Sequence, residues 1–135
     1  MHRVKTKWWL VRLWAAPYSL AGAVLGLLMI AFGGRVDLRL GVMEFGGGRI
    51  GRLAARLPQP FSFCAVTLGH VILGVDQPTL SAVRAHEQVH VRQYERWGVF
   101  FVPAYLLSSL AQVACGRRPY LDNRFEREAC AKAAR

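Results

Sequence analysis

The sequence predicts an α+β fold: an N-terminal transmembrane helix, a small β-sheet, a helix carrying His-Glu-x-x-His and a C-terminal helix rich in charge. Three observations predict it. Residues 13–32 form an apolar run without a single charge. Residues 36–45 and 65–73 are rich in β-formers and bounded by glycines. Residues 79–97 contain neither Gly nor Pro and space their apolar positions as a helix does. A chain of 135 residues with a net charge of +10 has room for one small domain beside an anchor, and none for a large core. The division expected is an anchor over 1–34 and a compact domain over 35–135.

The uncharged run would make about 30 Å of helix, one hydrocarbon thickness. Trp8, Trp9 and Trp14 gather at its start beside Arg3, Lys5, Lys7 and Arg12, as an interfacial belt does. A cleaved signal peptide is the competing reading. The run is long for one, however, and Ala31-Phe32-Gly33-Gly34 is a poor cleavage site. A retained anchor is the expectation.

Residues 36–40 alternate apolar and charged side chains, and 42–45 continue the pattern after Gly41, so two strands are expected. Gly46-Gly47-Gly48 reads as a turn, lacking the Lys of a phosphate loop. Arg49, Arg52 and Arg56 at helical spacing mark a short basic helix over 50–57, stopped by Pro58 and Pro60. Residues 65–73 are expected as one strand, with His70 inside it. There His70 is a candidate oxyanion or substrate contact, a hydrogen-bonded structural histidine being the alternative.

The next helix, 79–97, would be capped by Thr79 or Ser81. His86 and His90 lie four residues apart, close to one turn, so both imidazoles leave the same face and can share one Zn²⁺. Glu87, one residue round, can take a proton from a metal-activated water. Tyr94, a further turn along, is a candidate electrophile or a packing tyrosine. Glu95 is expected to pair with Arg92 or neighbouring charges on the solvated face. A catalytic zinc needs a third protein ligand. Asp122, Glu126 and Glu128 are the downstream candidates.

Residues 98–116 form a second run without charges, long enough to span. A full crossing would leave the histidines and the downstream carboxylates on opposite sides of a bilayer. If the site is real, this run must re-enter, lie in the interface or pack on the first helix, and Pro103 permits a bend.

The string Asn123-Arg124-Phe125-Glu126-Arg127-Glu128-Ala129, downstream of His86-Glu87-Gln88-Val89-His90, resembles the helix pair of the gluzincin metallopeptidases. It looks most like membrane-bound peptidases of the prenyl-protein-processing and heat-shock type, and the small chain is similar to the minigluzincins. Gln93 and Arg96 stand where a metzincin would continue its motif. The resemblance covers about residues 62–131. It implies a minimal zincin fold, His86, His90 and Glu126 on Zn²⁺, and Glu87 as general base and acid. It also implies a strand before the metal helix that lines the cleft and pairs with a peptide or membrane-near protein substrate. A bacterial inner-membrane setting follows from the same likeness. One position departs: Cys130 stands where the family commonly has an Asp that supports a ligand histidine, a role open to Asp122 or Asn123.

Charge and cysteines bound the remaining partners. The basic clusters lack an aromatic-basic recognition module, so no nucleic acid is expected, and anionic lipid head groups explain them better. Cys64, Cys115 and Cys130 have no paired spacing and suit a reducing compartment. Basic residues flank the first apolar run at both ends, so charge leaves its orientation a near draw. Two rivals fit the same residues: a zinc-binding but inactive docking module, and a small non-metal membrane protein with an incidental motif.

Overall fold

The computed structural model covers residues 2–58 and 64–134, and side chains from Trp9 onward apart from Val11. The expected stop at Pro60 and the belt side chains of Arg3, Lys5, Lys7 and Trp8 lie outside it. The fold is α+β. Its order is α1 (His2–Ala31), β1 (Arg35–Arg39), β2 (Val42–Gly46), α2 (Gly48–Ala55), β3 (Ala65–Leu68), β4 (Val71–Gly74), α3 (Gln77–Trp97), α4 (Phe101–Ala114) and α5 (Arg124–Ala133). A 3₁₀ turn, Gly98–Phe100, joins α3 to α4.

The four strands make one mixed sheet in the order β1-β2-β4-β3. β1 and β2 fall on the expected β pattern and pair as an antiparallel hairpin, Val36 opposite Phe45 and Leu38 opposite Met43. Its two-residue turn needs positive φ at both positions, which Gly41 supplies freely at 76° and Leu40 adopts at 54°. β2 and β4 are parallel, Glu44 beside Ile72. The single strand expected over 65–73 is two strands, because Gly69 at φ 61° lets the chain reverse within two residues and pair Leu68 with Val71. His70 therefore sits in a turn.

Strand alternation splits the sheet into two apolar faces. On one, Phe45, Val71 and Leu73 pack against Met29 and Ala23 of α1. On the other, Val42 and Ile72 pack against Leu80 and Val91 of α3. Each such side chain contributes about 1.5–3 kcal/mol of transfer free energy. Glycines set the first contact: a Cβ on Gly26 would run into the Phe45 ring and one on Gly22 into Val71. The buried stripe of α1 is Ala15, Gly22, Gly26 and Met29, while Leu13, Leu20 and Leu27 remain exposed.

α3 starts two residues before the expected position. Asp76, not Thr79 or Ser81, is its N-cap, accepting from the Thr79 N–H at 2.7 Å. Buried Glu44 ties β2 to α3 by accepting two bonds from the Arg84 guanidinium, at 2.8 and 3.0 Å.

By length and composition, Arg12–Ala31 and Gln77–Ala114 are apolar enough to cross a membrane, a property they share with signal sequences and core helices. The second stretch is not one rod. A straight helix would put Tyr105 about 22 Å beyond His90. Yet the Tyr105 hydroxyl donates to Glu126 Oε1 at 2.7 Å, and Glu126 Oε1 lies 3.2 Å from His90 Nε2. The chain folds back at Gly98, where φ is 57° and a Cβ would land inside the Trp14 indole. Tyr18 of α1 donates to the Val99 carbonyl at 3.1 Å, so this junction packs on the first helix. α4 has 14 residues, about 21 Å, short of a hydrocarbon thickness.

Candidate metal centre

His86 and His90 occupy one face of α3, as their spacing predicts, and the fold-back of α4 and α5 brings Glu126 to them. His86 Nε2 lies 3.2 Å from His90 Nε2 and 3.0 Å from Glu126 Oε2. His90 Nε2 lies 3.2 Å from the other carboxylate oxygen, Oε1, so each histidine faces one oxygen of Glu126, and one donor atom from each of the three lies within 4.8 Å of the others. The donor set, two imidazoles and one carboxylate, is one that zinc takes in catalytic sites. Among the described residues these three form the one His/Cys/Asp/Glu group close enough to hold a metal.

Neighbours fix each donor. His90 Nδ1 lies 2.8 Å from Gln93 Oε1, and Gln93 Nε2 donates to the Phe125 carbonyl at 3.0 Å. The Gln93 amide is thereby oriented with its oxygen toward His90, so Nδ1 carries the proton and Nε2 presents its lone pair to the cluster. Gln93 was not identified from sequence, although its i+3 spacing from His90 is a signal for it. Glu126 stands at the third position of α5, whose N-cap Asn123 accepts from Phe125 N–H at 2.9 Å. The buried Asn123 amide also donates to the Tyr105 carbonyl and to Ser109 Oγ, clamping α5 on α4. Burial works to raise the Glu126 carboxyl, but the His86 and His90 rings and the Tyr105 hydroxyl hold it well below the usual carboxylate range.

Of the other two candidates for third ligand, Asp122 accepts from Arg118 and Glu128 pairs with Lys132 at 3.2 Å. Neither Asp122 nor Asn123 supports a ligand histidine. The Nδ1 of His86 faces Cys130 Sγ at 3.8 Å, so a thiol stands behind this ring.

Glu87 is buried on the cleft side of α3, and Thr67 Oγ1 donates to its Oε2 at 2.6 Å. Thr67 belongs to β3, the edge strand beside the cleft. A cavity of about 420 Å³ opens there, lined by Thr67, Glu87, His90, Tyr94, Tyr105 and Glu126 among others. Pairing of Leu68 with Val71 and of Val66 with Leu73 turns the backbone groups of Ala65 and Thr67 away from β4. Tyr94 donates to the Thr67 carbonyl at 3.0 Å, which occupies its hydroxyl and holds β3 against α3.

His70 does not line this cavity. Its Nε2 lies 2.9 Å from Glu95 Oε1, and its backbone N–H donates to Ser19 Oγ on α1 at 2.9 Å. The structural role is the one its contacts describe. Glu95 thus pairs with His70 and not with Arg92, because the hairpin turn delivers an imidazole to the flank of α3. Behind the donors, Phe101 packs edge-on to Phe125 at 5.2 Å and against Tyr94 at 4.4 Å, uniting three helices. No family model matches the chain, and no curated protein or solved structure matches it.

Proposed function

We propose that the chain is a membrane-associated zinc metallopeptidase of minimal gluzincin type, hydrolysing a peptide or membrane-near protein segment. The observation that carries the reading is the convergence of His86, His90 and Glu126 on one point, with a buried Glu87 on the same cleft wall. Zinc, when bound by those three, supplies Lewis acidity that polarises a carbonyl and acidifies water. Glu87, held by Thr67, is the base that takes a proton and returns it to the leaving amine. The outward backbone groups of Ala65 and the N–H of Thr67 receive an extended substrate as an added strand. The aromatic walls formed by Phe101, Tyr105 and Tyr120 take its side chains.

A second reading, a zinc-binding module without catalysis, draws on one observation: Cys130 in place of a carboxylate behind His86. One experiment separates them. Elemental analysis of the purified full chain is expected to give about one zinc per protein, lost in His86→Ala, His90→Ala and Glu126→Ala. Glu87→Gln is expected to keep its zinc while hydrolysis of a mixed peptide library falls at least about 100-fold. Zinc retained with hydrolysis absent from wild type and variant alike would favour the inactive module. A folded wild type that takes up no zinc when supplied with it sinks both.

A further inference from the structure

The exposed side of α1 raises the question of how this helix meets lipid. Leu13, Leu20 and Leu27 are 62–71% exposed, while the opposite stripe is committed to the sheet. The β1–β2 hairpin runs back from the C-terminal end of α1 beside the helix, and the Arg12 side chain reaches its turn. The Gly34 N–H closes the end of α1 on the Met29 carbonyl at 2.7 Å just before β1 begins, and Arg12 Nη2 donates to the Gly41 carbonyl of the turn at 3.1 Å. β1 is an edge strand with Arg35, Asp37 and Arg39 all exposed. A crossing by α1 in this fold would carry those charges and an open strand edge through hydrocarbon, where each unpaired backbone group costs several kcal/mol.

The hairpin is built for another arrangement. Val36 and Leu38 share the α1 side of the sheet with Phe45 and Met43, and the charged residues of β1 point to the other side. Leu38 is 71% exposed and Leu40, at the turn, 81%. Leu40 also keeps a positive φ, a strained position for a branched apolar residue in open solvent. On the opposite flank of α1, an apolar cavity of about 240 Å³ lined by Leu25, Leu28, Ile50, Val66 and Leu68 lies beside α2. α2 exposes Leu53 together with Arg49 and Arg52.

We propose that α1 lies in the plane of one leaflet, so that its outer face, Leu38 and Leu40 enter the acyl region together while the α2 arginines meet anionic head groups. The metal cleft lies on the opposite face of the sheet, and both ends of α1 stay on one side of the bilayer. The inference rests on the membrane association proposed above and not on the zinc chemistry.

Two single-cysteine forms of the full chain test it. One keeps Cys130, which is exposed, with Cys64→Ser and Cys115→Ser. The other carries His2→Cys with all three native cysteines changed to Ser. Both are labelled with a membrane-impermeant maleimide in intact bacterial cells and in inverted vesicles. The expected result is that both positions label from the same side. Labelling of position 2 from one side and Cys130 from the other overturns the in-plane arrangement while leaving membrane association intact. Recovery of the chain wholly in the soluble fraction overturns membrane association itself. Leu38→Asp with Leu40→Asp is expected to lower retention on phosphatidylglycerol vesicles at least about ten-fold, with helix content by circular dichroism unchanged. Unchanged retention overturns the role of the hairpin.

Discussion

His90 can serve as a ligand because Gln93, one turn on, holds the proton on its far nitrogen. Gln93→Leu removes that acceptor and also the bond from Gln93 Nε2 to the Phe125 carbonyl, so zinc affinity is expected to fall about 10- to 100-fold in a chelator competition. Cys130→Asp tests the complementary position. A carboxylate facing His86 Nδ1 would hold the imidazole more firmly than a thiol at 3.8 Å, and the same titration is expected to show affinity raised by about ten-fold or more. Thr67→Val separates chemistry from binding. It removes the hydroxyl that orients Glu87 but touches no donor, so zinc content is expected to stay at the wild-type value while peptide hydrolysis drops. The His-Glu-x-x-His residues were legible because their geometry depends on one helical turn. Thr67 was not, because its bond to Glu87 spans 20 residues and exists through the placement of β3 against α3.

At the scale of elements, the reversal at Gly98 and the cap at Asn123 decide whether Glu126 reaches the histidines. Asn123→Ala removes the cap on the Phe125 N–H and the two bonds that its amide makes to the Tyr105 carbonyl and Ser109 Oγ. The expected cost is about 1–3 kcal/mol by chemical denaturation, with zinc binding weakened as α5 loosens. Gly98→Ala places a methyl group inside the Trp14 ring at a positive φ. It is expected to lower the melting temperature, and Trp14→Ala in the same chain is expected to restore part of the loss by making room. Full recovery would mean that the steric clash alone matters; none would mean that the backbone angle does. The uncharged run over 98–116 was ambiguous for a physical reason. An apolar surface packed on a neighbouring helix and one facing lipid have the same composition, and only the Tyr105–Glu126 contact shows that the chain returns.

For the molecule as a whole, α1 is part of the core as well as its apolar exterior. Without it, Phe45, Val71 and Leu73 lose their cover, each at about 1.5–3 kcal/mol against a total stability of about 5–15 kcal/mol. A chain beginning at Arg35 is therefore expected to show no cooperative unfolding transition and to aggregate, whereas a freely dispensable anchor would leave the transition unchanged. The sequence by itself determined the two histidines on one helix face with Glu87 one residue round, the apolar run 13–32 that α1 contains, and the strand pattern of β1 and β2. All of these follow from spacing within a few residues or from a continuous run. Only the tertiary structure brought Glu126, and not Asp122 or Glu128, beside the two histidines, split the strand at Gly69, and sent His70 to Glu95. It alone seated Gly22 and Gly26 of α1 on the sheet. Those outcomes depend on contacts between residues far apart in the chain, made possible where glycines allow a reversal or a close approach, and hydropathy cannot distinguish a face buried by protein from one buried by lipid.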